Sequence, residues 1–189
     1  MKYKMPVVET DRLVLKRGTL DDYKKVYEYD FTKLRDINGE FEFVRYDKPE
    51  VLELYAKEYD EADNMLDYIM FLKEGNIPIG NIIFDKYDAN NKSLEVSYNL
   101  HPDYWGNGYV VEALTELMDY AYSNLNIDDV ICVYAKENHK SKRVCEKVGF
   151  KYYEKVIEHY NSIDKDIEII KMIMSKENFY SNLKFRWGD

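Results

Sequence analysis

Apolar residues recur along this 189-residue chain with two periods that alternate. From Thr10 to Arg17 (TDRLVLKR), Leu13 and Leu15 alternate with charged neighbours, which predicts a strand. Thr19-Leu-Asp-Asp then reads as a helix start, with Thr19 as N-cap and acids in the first turn. Helical pieces are expected to about Asp63, broken near Lys48-Pro49. Asp67 to Lys73 and Ile79 to Tyr87 are apolar strands around Glu74-Gly75-Asn76, a hairpin signal, and Ser93 to Leu100 alternates again. From Val110 the period becomes helical, with Ala113, Leu114, Leu117, Met118, Ala121 and Leu125 on one stripe. A strand over Val130–Ala135, a helix over Asn138–Val148 and strands over Phe150–Glu158 and Ile167–Met174 follow, joined by a turn at Tyr160 to Lys165. A terminal helix is expected in 175–189.

Ser93–Leu100, the helix from Val110 and Val130–Ala135 form a βαβ unit, which demands parallel strands and a right-handed crossover. The flanking strands read as antiparallel hairpins. The expected fold is α/β (α+β): a mixed, mostly antiparallel sheet with a central parallel βαβ unit and helices on both faces. No linker, repeat or low-complexity run divides the chain, so 1–189 is expected to be one domain.

Charge narrows the function. Lys and Arg total 27 against 36 Asp and Glu, a net charge of −9, which argues against nucleic acid or an anionic membrane as partner. No stretch approaches a membrane span, no signal-peptide core opens the chain, and a cytoplasmic setting is expected. Two cysteines and three scattered histidines offer no metal spacing, so no metal is expected.

The chemistry is expected in the loop His101-Pro-Asp-Tyr-Trp-Gly-Asn-Gly-Tyr-Val-Val-Glu-Ala, between strand and helix. Gly106 and Gly108 let the backbone approach a ligand closely, and the helix beyond presents unpaired N–H groups at its positive end. A phosphate or pyrophosphate suits such a place. The loop lacks the Gly-Lys-Ser/Thr ending of a Walker loop and the third glycine of a dinucleotide fingerprint.

Four pieces in order carry a family resemblance: Thr10–Arg17, Ile77-Pro-Ile-Gly-Asn-Ile, the glycine loop, and Glu137-Asn-His-Lys-Ser-Lys-Arg-Val-Cys-Glu-Lys-Val-Gly-Phe. Over about Thr10 to Met174 the chain resembles the GNAT family of acetyl-CoA-dependent N-acetyltransferases, within it the RimJ/RimL-like branch. The resemblance implies acetyl-CoA as cosubstrate. The family loop, Gln/Arg-x-x-Gly-x-Gly/Ala, falls on Trp105 to Val110; Gly108 matches, while Trp105 and Val110 depart. Implied coenzyme contacts are Trp105, Gly106, Asn107, Gly108, Tyr109 and Val110 for the pyrophosphate. Tyr98, Asn99 and Leu100 on the strand edge, with Asn138 and Ser141, are implied for the pantetheine arm. The family's acid tyrosine, seven residues after the asparagine, is Cys145 here. Ser141 is therefore the expected donor to the leaving thiolate, and Cys145 a small buried residue. Glu95, beside the thioester, is the expected base.

From Asp21 to Asp67 there are 15 acidic and 7 basic residues, and from Lys136 to Lys155 there are 7 basic and 3 acidic. This asymmetry suggests an acidic acceptor mouth and a basic coenzyme end. The acceptor is expected to be a small-molecule amine or a protein N-terminus. The tail Phe179-Tyr180…Phe185-Arg186-Trp187 either covers its own core or packs on a partner chain, leaving monomer and homodimer open. Two other readings compete: a non-catalytic acyl-CoA-binding or regulatory domain, and an unrelated α/β phosphate-binding protein resting on the glycine loop alone.

Overall fold

The computed structural model describes residues 5–28, 66–160 and 164–187. In chain order the elements are β1 (Val8–Glu9), β2 (Leu13–Lys16), α1 (Leu20–Val26), β3 (Leu66–Leu72), β4 (Ile77–Asp88) and β5 (Ser93–Leu100). A short 3-10 turn (Pro102–Tyr104) leads to α2 (Tyr109–Asn124), then β6 (Asp129–Ala135), α3 (His139–Val148), β7 (Lys151–Tyr160), β8 (Lys165–Ser175) and α4 (Lys176–Trp187). All eight strands join one sheet in the order β1-β2-β3-β4-β5-β6-β8-β7. Only β5 and β6 pair in parallel, across the α2 crossover. The expected helical pieces between residues 29 and 63, and most of the acidic segment, lie outside the described residues.

The continuous apolar run of β3 follows from helices on both faces. Leu66, Tyr68 and Met70 enter the main core with α2, α3 and Phe179. Their neighbours Ile69 and Phe71 pack instead against Tyr23, Val26 and Tyr27 of the α1 segment. The stripe expected on α2 is buried from Val110 through Ala113, Leu114, Leu117 and Met118 to Ala121, and its last expected member, Leu125, is the half-buried C-cap residue. Each leucine so buried contributes about 1.5–3 kcal/mol of transfer free energy. Phe179 lies at 5.3 Å from the Tyr122 ring, so the tail covers its own core at that point.

Helix α1 starts where its chemistry demands. Thr19 Oγ1 accepts from the Asp22 N–H, and Asp22 returns the bond to the Thr19 N–H at 2.8 Å, a complete capping box. The opening strand is shorter than the alternation implied. Thr10 and Arg12 precede β2: the Thr10 hydroxyl and the Arg12 backbone N–H turn to Glu112, while the Arg12 carbonyl still accepts from the Lys73 N–H at 2.9 Å.

One polar group interrupts the apolar β3 run. Asp67 is 4% exposed; Tyr23 donates its hydroxyl to one carboxylate oxygen and Asn81 Nδ2 donates to the other at 3.3 Å. Tyr27 donates to Asn81 Oδ1 at 3.1 Å, tying the α1 segment to the β3–β4 pair. Burial raises the Asp67 pKa from 3.8 to about 6, against the bonds from Tyr23 and Asn81 and the charge of Arg17. Because the folded value is the higher one, Asp67 favours the folded state most at pH below about 4. That contribution is lost as pH rises through about 6. Asp67→Asn, which cannot ionise, should gain stability relative to the parent between pH 4 and 7, by up to about 3 kcal/mol at ~1.4 kcal/mol per unit. Urea unfolding across that range checks this; a parallel pH dependence in both proteins would contradict it.

Candidate active site

The parallel pairing of β5 and β6 runs from Ser93↔Asp129 to Val96↔Cys132 and stops there, although both strands continue. Beyond that point β5 stays with β4 as far as Gly80↔Leu100, and β6 stays with β8 as far as Ala135↔Ile169. A wedge therefore opens in the sheet toward the strand ends, with the free edge of 97–100 along one side. Gly80 makes this possible on the β4 side. A Cβ there would lie 2.3 Å from the Asn99 carbonyl oxygen and 3.0 Å from Leu100 Cα.

The glycine loop stands at the mouth of the wedge. Gly108 has φ +80° and caps α2 with no side-chain bond, so the helix's first amides stay unclaimed by a cap. Trp105 donates its indole N–H to the Leu100 carbonyl at 2.8 Å, fixing the loop to the end of β5. Asn107 bonds back to the Tyr104 and Trp105 carbonyls and leaves its side chain exposed. Val110, the branched residue at the helix start, sends its side chain into the core and is 5% exposed.

The loop is braced from behind by residues that periodicity did not single out. Glu112, in the first turn of α2, accepts from the Thr10 hydroxyl and from the Arg12 backbone N–H at 2.9 Å. The Arg12 guanidinium bonds it at 2.7 and 2.6 Å, donates to the Asn107 carbonyl at 3.0 Å and lies over the Tyr109 ring at 4.5 Å. Burial alone would raise the Glu112 pKa; the bonds from Thr10 and Arg12 outweigh it and hold the value below the ordinary one. About one hundred residues separate the partners, so no local pattern reports the contact.

On the far side of the wedge, Asn138 is 4% exposed and caps α3, accepting the Ser141 N–H at 3.0 Å. Tyr98 reaches across from β5. Its hydroxyl donates to the Ser141 carbonyl at 3.2 Å and lies 3.9 Å from Cys145 Sγ. Cys145 and Cys132 are both buried, 3.1 Å apart at the sulfurs. Burial first, then the two thiols, raises the Tyr98 pKa well above its ordinary value, so the phenol stays protonated. Among the described residues the Ser141 hydroxyl has no protein partner.

Glu95 is placed apart from this group. Side chains alternate along β5, so Leu94, Val96 and Tyr98 share the α2–α3 face and Glu95, Ser97 and Asn99 share the other. Lys86, at a bulge in β4 with φ +48°, pairs with Glu95 Oε2 at 2.6 Å. The structure thus gathers Tyr98, Asn138, Ser141 and the glycine loop on one side and sets Glu95 on the opposite face, one residue before the wedge opens. The basic stretch 136–155 is partly neutralised: Lys136 and Lys155 both bind Glu168, and Lys142 faces Glu146 at 3.8 Å. Among the described residues no group of three metal-ligating side chains occurs, and no helix is long and apolar enough to cross a membrane.

The acetyltransferase (GNAT) domain model matches residues 12–151. The chain belongs to the GNAT acetyltransferase family. It is therefore an N-acetyltransferase, the description that two of its Bacillus subtilis relatives also carry. The uncharacterized N-acetyltransferase YnaD of Bacillus subtilis (strain 168) is 26% identical over 148 residues, 76% of this chain and 82% of its own. YoaA of the same organism is 23% identical over 185 residues, 91% of this chain and 99% of its own. Solved structures share the fold. A GNAT-family acetyltransferase from Bacillus anthracis superposes with TM-score 0.76 at 20% identity, covering 91% of this chain and 99% of that one. The microcin C7 self-immunity acetyltransferase MccE, in complex with acetyl-CoA and AMP, gives 0.70 at 15%, covering 87% and 93%. The ribosomal-protein-S5-alanine acetyltransferase from Vibrio fischeri gives 0.71 at 16%, covering 92% and 98%.

If Glu112 is the brace of the loop, Glu112→Ala should destabilise the protein by about 1–3 kcal/mol, the cost of leaving its donors unpaired. Amide exchange should quicken at 106–110. The carboxylate's contribution exists above the unfolded pKa and is lost as pH falls through the lower folded value, so the gap between parent and variant should narrow in acid. Unfolding curves with hydrogen exchange test this; unchanged exchange in the loop would dissociate it from Glu112.

Proposed function

We propose that the chain transfers an acetyl group from acetyl-CoA to a primary amine, with the coenzyme lying in the wedge between β5 and β6. The observation that carries this reading is the parting of the two parallel strands directly before a glycine-capped helix N-terminus. The cradle fits the group. Nothing lies within 4 Å of a Cβ built on Gly106, and the nearest atom to one built on Gly108 is 3.8 Å away, on Arg12. The amides of Gly106, Asn107, Gly108, Tyr109 and Val110 would take the pyrophosphate, and Trp105 would border it. The free edge at Tyr98, Asn99 and Leu100 would pair with the amide-bearing pantetheine arm as a strand does, and Asn138 would help hold it. MccE, of the same fold, binds acetyl-CoA in its own structure, which supports the choice.

The coenzyme supplies an activated acetyl thioester. The amine nitrogen forms the new N–C bond as the C–S bond breaks, and the nitrogen gives up one proton. Glu95 accepts that proton through water on its free oxygen, since Lys86 engages only Oε2. Ser141, at the first turn of α3, donates its hydroxyl to the departing thiolate. The acceptor approaches from the Glu95 face. Protein N-termini, polyamines, aminoglycosides and other small amines all offer the group required. The fold shared with the ribosomal-protein-S5-alanine acetyltransferase supports the RimJ/RimL-like branch.

Acetyl-CoA should raise the melting temperature of the protein. Gly108→Glu should abolish that shift, while Gly108→Ala, which carries the same φ strain without charge, should lower stability by about 1–2 kcal/mol and keep part of it. A full ligand shift in the Glu variant would remove the pyrophosphate from this loop.

Ser141→Ala should lower kcat roughly 10- to 100-fold, about 1.4 kcal/mol per decade. The KM for acetyl-CoA should hardly change, since the bond to sulfur strengthens as the thiolate forms. A thiol-release screen against N-terminal peptides, spermidine, aminoglycosides and amino acids finds the acceptor and supplies the assay. An unchanged kcat with chemistry rate-limiting would return Ser141 to its helix turn.

A further inference from the structure

The two walls of the wedge touch at one unexpected point. Lys140, the second residue of α3, places Nζ 3.2 Å from the centroid of the Trp105 ring. Trp105 cannot follow a moving partner freely, because its indole N–H is held on the Leu100 carbonyl at 2.8 Å. The contact therefore joins the glycine loop to the opposite helix across the proposed coenzyme path.

Electrostatics makes this an odd resting place for a cation. The first turn of α3 has no acidic residue, and a lysine there sits at the positive end of the helix dipole. Among the described residues no carboxylate pairs with Lys140, whereas Lys142 two positions on faces Glu146. Burial further lowers the Lys140 pKa. A ring face returns about 0.5–2 kcal/mol to a cation, less than an anion would. The N-terminus of α2, with its amides unclaimed by a side-chain cap, begins four residues after Trp105 in the same loop. The glycine loop that carries the Lys140 contact thus runs directly into a second helix N-terminus, and a multiply charged anion is the group that would satisfy the ammonium and both helix ends.

We propose that Lys140 is a ligand of the coenzyme's pyrophosphate, held on the Trp105 ring until the coenzyme arrives. The inference rests on the coenzyme reading above. A lysine suits this role, because its four-carbon stem lets a compact charge swing from ring to phosphate without moving the helix. The exchange leaves a spectroscopic trace, since the cation departs from the face of an indole.

The proposal is tested by a fluorescence titration of the full chain carrying Trp187→Phe, which leaves Trp105 as the one tryptophan. Coenzyme A and dephospho-coenzyme A are the probes. Both should change the Trp105 emission in this parent. Lys140→Met should bind both about tenfold more weakly, the loss of one charge-assisted contact, with a shallower salt dependence. Lys140→Arg should keep most of the affinity. Equal affinity in parent and Met variant would overturn the proposal. A loss confined to coenzyme A would move the contact to the 3′-phosphate and overturn the pyrophosphate assignment. A Met variant with lowered melting temperature that Arg does not rescue would show a brace for α3 instead. Absence of binding to the parent, seen first in the thermal shift, would remove the coenzyme reading itself and this inference with it.

Discussion

The site depends on two parallel strands that pair for four residues and then separate. A sheet normally keeps its ladder to the strand ends, because a backbone N–H or C=O left without a partner is costly away from water. Here each strand keeps its outer neighbour, so only the inner edges are released. Antiparallel pairing with β4 holds β5 on one side, and pairing with β8 holds β6 on the other. Gly80 lets β4 draw close to the last residues of β5, where any side chain would strike the Asn99 carbonyl. The released edge of 97–100 faces a gap with backbone donors and acceptors, except the Leu100 carbonyl, which the Trp105 indole already holds. A ligand with its own amides can complete it, and a purely apolar one cannot.

A gap held open needs rigid walls, and the walls are polar at their backs and apolar beneath. Glu112 gathers Thr10 and both ends of Arg12, and Arg12 in turn holds the Asn107 carbonyl and the Tyr109 ring. Being an acid in the first turn of α2, Glu112 also suits the helix dipole. Its donors belong to Thr10 and Arg12 and not to the loop amides, so the brace and an anion do not compete for the same donors. The opposite wall is held by the Asn138 cap and by Tyr98, whose phenol spans from strand to helix above the buried thiols. Under both walls, α2 buries a full apolar stripe against β3, β4 and β5.

Most of this frame was legible because it follows local rules. The 3.6 period of α2, the Thr19 N-cap, the alternation of Ser93–Leu100 and the glycines before a helix all fall where the pattern puts them. The βαβ reading carried the parallel pair with it. What stayed hidden depends on distance or on side-chain direction. Thr10 and Arg12 read as strand because their neighbours alternate, and nothing local reveals a carboxylate about one hundred residues away. Asp67 resembles an exposed strand acid until Tyr23 and Asn81 close on it. Val110 looks obstructive at a phosphate loop, yet its side chain points into the core. Trp105 reads as a departure from a motif, whereas its ring meets Lys140 and its N–H secures the loop. Glu95 and Ser141 each read as site residues, but that they occupy opposite faces is a consequence of strand parity and helix placement together.

That separation bears on how much acid–base assistance the proposed reaction needs. The sheet is a barrier between a face carrying Tyr98 and Ser141 and a face carrying Glu95, and the wedge is where the two faces communicate. A thioester lying in the wedge would meet an amine from one face and lose its thiolate toward the other, so attack and departure would be arranged by backbone geometry alone. Positioning of that kind can lower a barrier by several kcal/mol without any titrating group. Acid and base then only manage protons at opposite ends of the reaction, and neither has to reach the other. Such a division explains why the loop, its brace and the parted strands are built with so many mutual bonds. The Ser141 hydroxyl, by contrast, is left without a protein partner among the described residues, and Glu95 is held by an ion pair with the exposed Lys86.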